Sequence, residues 1–246
     1  MRDKVSTYHV SRITYHVSRI TYHASRITNY VGKHAETLLF LGLTAVFVGY
    51  LTTWLPGPVA GLQFIGVEMG EWVKFLGVGQ SRNLFYLPPI TLGLMIALLT
   101  AGWPNGRWQT WAMRGLAVAV SLLAFPALEA IRDEPASEWR LRLQLIGLVI
   151  AVALAVGAGR RHWQTSLAWL PWLLLALLGV AGAALPIWVY QSVRPVVSRA
   201  VGLPVGIGLG VWLNGGGHLL VAAVTLRQLV QHGKGVPGLT GVKRET

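Results

Sequence analysis

Six long apolar stretches, separated by short arginine-rich connections, dominate this sequence. They cover approximately residues 36–55, 84–103, 112–131, 143–159, 167–190 and 203–226. A helix needs about 20 apolar residues to cross the ~30 Å hydrocarbon core of a bilayer, and each stretch is close to that length. Open sheet edges would leave backbone groups unpaired in lipid. The pattern therefore predicts an all-α, polytopic integral membrane protein with a bundle of six transmembrane helices.

Composition supports a membrane protein rather than a soluble one. Of the 246 residues, 53% are hydrophobic and only 12% are charged, which is too apolar for a soluble domain of this size. The net charge of +12 comes from Lys and Arg between the stretches and in the tails, where anionic lipid headgroups attract them. We therefore expect the lipid bilayer, and no nucleic acid, as a partner. Cysteine is absent, which excludes disulfides and thiolate chemistry.

The sequence divides into a repetitive basic extension at 1–35, a transmembrane domain at 36–230 and a basic tail at 231–246. Three near-copies of one heptad fill residues 7–27 of the extension, with apolar residues at the alternating three- and four-residue steps of a coiled coil. Four of the five remaining heptad positions hold Thr, Tyr, His and Ser, which are poor helix formers. We interpret the extension as disordered, with a membrane-surface segment or an oligomerising helix as the alternatives.

The distribution of positive charge gives a weak orientation. With six crossings, the Lys and Arg residues outside the extension divide almost evenly between the two sides. Only the cations of the extension favour a cytoplasmic N-terminus, since positive residues near membrane helices stay in the cytoplasm. An even number of crossings then places the C-terminus on the same side. We expect a multi-pass protein of the cell membrane with both termini cytoplasmic.

The segment 57–78, between the first two stretches, has an amphipathic pattern. At 100° per residue, Glu68, Glu71 and Lys74 share one face and apolar residues share another. This pattern predicts an interfacial or re-entrant helix, with a seventh crossing as the alternative. Glu68 and Glu71 lie one turn apart and form a possible acidic pair for acid–base chemistry or cation binding. Exposed acids on an amphipathic helix are the commoner explanation.

A stripe of small and polar residues marks the last stretch. Gly202, Gly206, Gly210, Asn214 and His218 follow one another at four-residue steps, which places them along one side of a helix. Small residues at this spacing let a neighbouring helix approach closely. We therefore predict that the three glycines form a helix-packing face.

The polar end of that stripe is the candidate ligand-binding site. Asn214 and His218 would lie in the membrane, where polar side chains must find partners or face water. Interhelical hydrogen bonds from these two residues are the favoured interpretation. A ligand-binding site is the alternative, because Gly215, Gly216 and Gly217 lie between them and weaken a helix, which allows a local break of the kind that transporters use to build sites.

A carboxylate inside the third predicted crossing is a further candidate ligand. Glu129 follows Pro126 by three residues and lies close to Arg132. An ion pair with Arg132, with the carboxylate reaching toward the interface, is the favoured interpretation. A role in relaying a proton or cation is the alternative.

Motifs of known membrane enzymes are absent from the sequence. It contains no Gly-flanked nucleophilic serine, zinc-protease motif, phosphate-binding loop or dinucleotide fingerprint. His218 is the only histidine in a predicted crossing, which disfavours haem. We expect no cofactor and no metal, and the missing motifs argue against an enzyme without deciding the question. The favoured function is a small transport or solute-binding membrane protein. The alternatives are a non-catalytic membrane subunit that packs against other subunits through the glycine stripe and, least favoured, a lipid-active enzyme using Glu68, Glu71 and His218.

Overall fold

The computed structural model describes residues 34–57, 63–76, 79–159 and 167–234. Nearly all of the described chain is helical, in α1 (Ala35–Leu51), α2 (Gly66–Trp72), α3 (Leu87–Leu99), α4 (Trp108–Ser121), α5 (Leu128–Asp133), α6 (Ala136–Ala158), α7 (Leu170–Val201) and α8 (Leu209–Lys234). Short 3-10 segments occupy Val73–Leu76, Gly79–Tyr86 and Leu122–Ala124. Two short strands, β1 (Thr53–Leu55) and β2 (Phe64–Ile65), form an antiparallel hairpin. Nearly all of the predicted extension and most of the basic tail lie outside the described residues.

Four helical segments of the described chain are long and apolar enough to cross a membrane. They are Ser81–Leu99, Ala136–Ala158, Leu170–Val201 and Leu209–Gln231. Helix α1 is apolar but has only 17 residues, and α4 has 14. The predicted all-α class is confirmed, and the apolar helices support a membrane location. Six crossings stay a prediction, because α1 and α4 are shorter than the roughly 20 residues that a span needs.

Prolines change two of the predicted helix boundaries in opposite ways. The third stretch, 112–131, is not one helix: α4 ends at Ser121, and Phe125 is extended before Pro126. A proline disfavours helical geometry in the residue before it and cannot donate a backbone hydrogen bond. Helix α7 instead continues through two internal prolines and ends at Gly202, whose φ of 73° is left-handed. Glycine adopts that conformation readily and commonly terminates helices.

The segment 57–78 does not form the single helix that its pattern predicts. Strand β2, the seven residues of α2 and a 3-10 turn replace it among the described residues. A helix of seven residues is only about 10 Å long, so α2 cannot provide a seventh crossing. Together with β1 and the Gly79–Tyr86 turn, β2 and α2 cover one end of the bundle. We call this end the hairpin end. The α7–α8 connection joins this end through a 2.9 Å hydrogen bond from the Gly208 N–H to the Trp54 carbonyl.

Helix α8 packs against α1 with their backbones in direct contact. A Cβ atom on Gly49 of α1 would lie 2.5 Å from the Asn214 backbone nitrogen, and one on Gly217 would lie 2.6 Å from the Gly42 carbonyl oxygen. No side chain fits such gaps. Because Gly42 faces Gly217 while Gly49 faces Asn214, the two helices run antiparallel. Helix α8 also packs against α7, and α3 packs against α1, α4, α6 and α7.

A buried arginine joins helices at the end opposite the hairpin end. Arg114 of α4 donates from Nε to the Thr100 hydroxyl at 3.1 Å and from Nη1 to the Asn105 side-chain oxygen at 3.0 Å. Thr100 caps the C-terminus of α3, and the Arg114 guanidinium also approaches Gly157 in the last turn of α6. The C-terminal ends of helices carry partial negative charge that favours a cation. Arg114 therefore stabilises two helix ends that meet at one place.

The glycine contacts make a direct prediction about stability. We expect Gly49→Ala to lower the free energy of unfolding by about 1–3 kcal/mol, because the new methyl group forces α1 away from α8. Gly147→Ala is the matched control, since a Cβ on this α6 glycine meets nothing within 4 Å. Thermal unfolding of the purified variants in one detergent measures the difference. Equal stability of the two variants would contradict the contact between α1 and α8.

Candidate functional site

The histidine predicted in the last crossing is held by two hydrogen bonds. His218 is 0% exposed, and its Nδ1 lies 2.9 Å from the Asn214 backbone oxygen. A carbonyl oxygen only accepts, so Nδ1 carries the hydrogen, and Nε2 of the neutral ring is the acceptor. Nε2 makes a 2.9 Å hydrogen bond with the Thr91 hydroxyl, which also lies 2.9 Å from the Leu87 carbonyl oxygen. Since Thr91 lies on α3, this bond joins α3 to α8 inside the bundle.

The His218 ring fits because α7 has glycines where it passes α8. A Cβ atom on Gly182 would overlap the imidazole of His218, and one on Gly179 would lie 2.8 Å from the His218 carbonyl oxygen. Any larger residue at Gly182 would displace the ring from Thr91. Helices α3, α7 and α8 thus enclose the imidazole together.

Asn214 contributes the least satisfied polar group of this interior site. Its side chain is 0% exposed, and neither the amide nitrogen nor the amide oxygen has a hydrogen-bond partner among the described residues. A buried polar group left unpaired costs about 1–3 kcal/mol, and a side-chain amide offers two donors and an acceptor. We call His218, Asn214 and Thr91 the interior polar site. It carries no formal charge when the imidazole is neutral.

The three glycines between Asn214 and His218 do not break the helix. Helix α8 is continuous from Leu209 to Lys234, because a backbone surrounded by lipid and protein has no water to replace its hydrogen bonds. A Cβ on Gly215 would approach Ile187 of α7, Gly217 faces α1, and Gly216 points into open space. The predicted local break is therefore absent from this part of the described chain.

The predicted glycine stripe is divided between two helices and their connection. Gly202 ends α7, and Gly206 lies in the connection, where its carbonyl accepts a 2.7 Å hydrogen bond from the Tyr190 hydroxyl. Only Gly210 lies on α8, where a Cβ would overlap the Trp54 ring and approach the Gly49 carbonyl oxygen. The stripe expected on one helix does not form, because α8 begins at Leu209.

Glu129 lies outside the interior polar site. It belongs to the short helix α5 and is exposed, because the break at Pro126 removes it from the third crossing. The expected partner Arg132 pairs with Asp133 instead, at 2.8 Å. Glu129 has no ion pair with another residue in the described ranges. Nothing in its surroundings makes it part of a ligand site.

A charged site at the hairpin end is centred on an arginine that the sequence analysis did not single out. Arg142 of α6 is 2% exposed, and its Nη1 donates to Glu71 Oε1 at 2.8 Å. The Tyr86 hydroxyl donates to the same oxygen at 2.6 Å. The Arg142 guanidinium lies 4.2 Å from the centre of the Tyr86 ring, a favourable cation–π contact. Arg142 stands one residue before the predicted crossing 143–159, so the sequence places it in a connection.

The charged site continues toward the surface as alternating acidic and basic side chains. Lys74 lies 3.7 Å from Glu71 and donates to Glu134 at 3.1 Å. Arg82 lies 3.6 Å from Glu134 and donates to Glu138 at 2.6 Å. These contacts attach α2 and the Gly79–Tyr86 turn to the start of α6. The hairpin end therefore combines these electrostatic contacts with a buried apolar cluster that includes Trp54, Met69 and Phe85.

The two predicted acids have separate roles in this arrangement. Glu68 is exposed, and its carboxylate accepts a 3.2 Å hydrogen bond from the backbone N–H of Ile65 at the start of α2. Glu71 turns inward to Arg142. His218 bonds to Thr91 and Asn214 and to neither acid. The structure therefore does not bring Glu68, Glu71 and His218 together as an enzyme site.

The environment of Glu71 favours its charged form. Burial by itself raises the pKa of this carboxyl, but hydrogen bonds from Tyr86 and Arg142, together with the charges of Arg142 and Lys74, outweigh it. The pKa of Glu71 is consequently lower than its ordinary value. Glu71 is an ionised anchor for Arg142 at neutral pH.

Two further features bear on ligand binding. An apolar groove of about 380 Å³ runs between α1, α3 and α4, lined by side chains that include Phe40, Phe47 and Met113. Within the described ranges, no three His, Asp or Glu side chains are grouped to hold a metal ion.

Comparisons with family models, with curated proteins and with solved structures find no match to this chain. Its function must therefore be inferred from its own residues.

The charged site predicts how stability depends on pH. A carboxyl with a lowered folded-state pKa stabilises the protein fully above the unfolded pKa of about 4.3. That stabilisation is lost as the pH falls through the lower folded-state value. We expect the wild-type melting temperature to fall in this acidic range. Glu71→Gln should weaken this dependence of the melting temperature on pH. Glu129→Gln is the matched control and should keep the wild-type profile. Identical profiles for wild type and Glu71→Gln would contradict the assignment.

Proposed function

We propose that this chain is an integral membrane protein that binds, and by helix movement transports, a small polar solute at the interior polar site. The observation that carries the proposal is the amide of Asn214, fully buried on α8 without a partner for either polar atom among the described residues. An unpaired amide inside a membrane bundle is costly, and polar groups at that depth commonly mark ligand pathways. A bound solute would supply the missing hydrogen bonds.

The interior polar site favours a neutral solute. Asn214 supplies donors and an acceptor, and one turn along α8 the neutral imidazole of His218 bonds to the Asn214 backbone carbonyl and to the Thr91 hydroxyl. None of these groups is charged, so an ionic solute would be left without a compensating charge at this depth. A small molecule with both hydrogen-bond donors and acceptors matches the amide best.

Six crossings remain part of this proposal. The 17 residues of α1 span about 25 Å at 1.5 Å per residue, and α1 contacts the candidate span α8 from Gly42 to Gly49. Helix α4 with its 3-10 extension runs from Trp108 to Ala124 and packs against α3. Modest thinning of the bilayer accommodates helices of this length. Both ends of the chain would then lie on one side, with the cytoplasm as the proposed side.

The glycine contacts favour solute binding over the docking of another subunit. Gly210 and Gly217 contact α1 or the hairpin, and Gly215 contacts α7. These surfaces are already used within the chain, so they offer no glycine face to a partner helix. Of the α8 glycines between residues 210 and 217, Gly216 alone faces open space.

A substitution at Asn214 distinguishes a ligand group from a structural one. We expect Asn214→Leu to abolish the thermal shift caused by whichever polar solute stabilises the wild type in a screen of small neutral metabolites. We also expect it to leave the melting temperature of the solute-free protein unchanged or higher, because it removes unpaired polar atoms while conserving volume.

Thr225→Val is the matched control for that substitution. The Thr225 hydroxyl is buried on the same helix and already bonds to the Val221 carbonyl at 2.8 Å. This variant should keep the solute-dependent shift. A lower melting temperature for solute-free Asn214→Leu would mean that the amide is structural. An unchanged solute response in Asn214→Leu would equally contradict the proposal.

A further inference from the structure

We propose that Arg142 and Tyr50 form a second binding site, at the hairpin end, for the carboxylate group of a small solute. This site does not depend on the interior polar site, since it uses different residues and the opposite kind of chemistry. It rests on three buried donor atoms that find no acceptor in the described part of the chain: Arg142 Nε, Arg142 Nη2 and the Tyr50 hydroxyl.

The unpaired atoms of Arg142 are the two that bind carboxylates in pairs. Glu71 occupies only Nη1, at 2.8 Å. Nε and Nη2 lie along one edge of the planar guanidinium and point their hydrogens in parallel, which matches two oxygens of one carboxylate. Tyr86 lies against the face of the guanidinium rather than along this edge. Tyr86 and Glu71 therefore fix the plane of Arg142 and leave its bidentate edge for a ligand.

Tyr50 supplies the third donor. It is the penultimate residue of α1, is 1% exposed, and its hydroxyl has no partner among the described residues. A Cβ on Gly66 of α2 would lie 2.7 Å from the Tyr50 ring, and one on Gly70 would overlap the Tyr86 ring. These glycines are one helical turn apart, so both rings pack on the same face of α2, and Tyr86 contacts Arg142. A buried hydroxyl on this side of α2 is suited to donate to an anionic oxygen bound by Arg142.

The charges of the site favour a carboxylate over a phosphate. Three basic and three acidic side chains form the charged site, namely Lys74, Arg82, Arg142, Glu71, Glu134 and Glu138. Their charges balance, so a singly charged ligand adds less repulsion than a doubly charged one. A carboxylate is also planar, like the guanidinium edge that would bind it.

Access to the site requires movement of α2. The three donor atoms are enclosed. Glu71 attaches α2 beside Arg142, and Tyr86 packs against α2 at Gly70, where a Cβ would overlap the Tyr86 ring. Helix α2 has seven residues and follows a short hairpin. Displacement of this segment opens the Arg142 edge without separating the long helices.

The test uses the full chain in detergent and measures the melting temperature at increasing concentrations of sodium acetate. Sodium chloride at equal ionic strength is the reference, and inorganic phosphate is the competing probe. We expect acetate to stabilise the wild type, with a dose-dependent shift that chloride does not give. Tyr50→Phe should weaken the apparent acetate affinity by about tenfold, the loss of one hydrogen bond to a charged group. Arg142→Lys should abolish the shift, because an ammonium lacks the bidentate edge.

Tyr190→Phe is the matched control, since the Tyr190 hydroxyl is already bonded to the Gly206 carbonyl. It should keep the wild-type acetate affinity, and so should Asn214→Leu, which alters only the interior polar site. The absence of an acetate-specific shift in the wild type would overturn the site. An unchanged acetate affinity in Tyr50→Phe, or a loss of acetate affinity in Asn214→Leu, would overturn its assignment to these residues. Stabilisation by phosphate but not by acetate would overturn the carboxylate class. If Arg142→Lys does not fold, Tyr50→Phe decides alone.

Discussion

The contact between the backbones of α1 and α8 determines how the polar residues of α8 are arranged in the bundle. Glycines on both helices remove the side chains that would separate them, and this close approach turns Asn214 and His218 away from lipid. Helix α7 closes on His218 from the other side through Gly182. Association of helices in lipid depends on packing of this kind, because apolar side chains gain little by leaving lipid for protein. The interior polar site is a consequence of glycine positions on three helices.

The bundle contains two polar environments with different physical characters. The interior polar site is neutral and consists of an amide, an imidazole and a hydroxyl deep among long helices. The charged site at the hairpin end has alternating acids and bases that attach short elements to α6. Charges are expensive far from water but tolerable near the membrane surface, where they pair and are partly hydrated. The proposed carboxylate site at the hairpin end would provide the recognition of charge that the neutral interior polar site lacks.

The sequence predicted the features that depend on local patterns and missed those that depend on distant contacts. The apolar stretches correctly predict the all-α class, and each overlaps one of the helices that form the bundle. The break at Pro126 follows from local stereochemistry and was readable in principle. The inward turn of Glu71 was not, because its partner Arg142 is 71 residues away and was counted with a connection. The same holds for Thr91, whose pairing with His218 no spacing within α3 indicates.

The central claim is that α8 is a continuous helix that encloses Asn214 and His218 despite three consecutive glycines. Hydrogen–deuterium exchange of the full chain in lipid nanodiscs, read by mass spectrometry, tests it most directly. We expect the amides of residues 214–218 to exchange as slowly as those of Leu87–Leu99, since both segments are helical and buried. Rapid exchange confined to residues 214–218 would contradict the claim, because it would mean that α8 is unwound and wetted at the glycines.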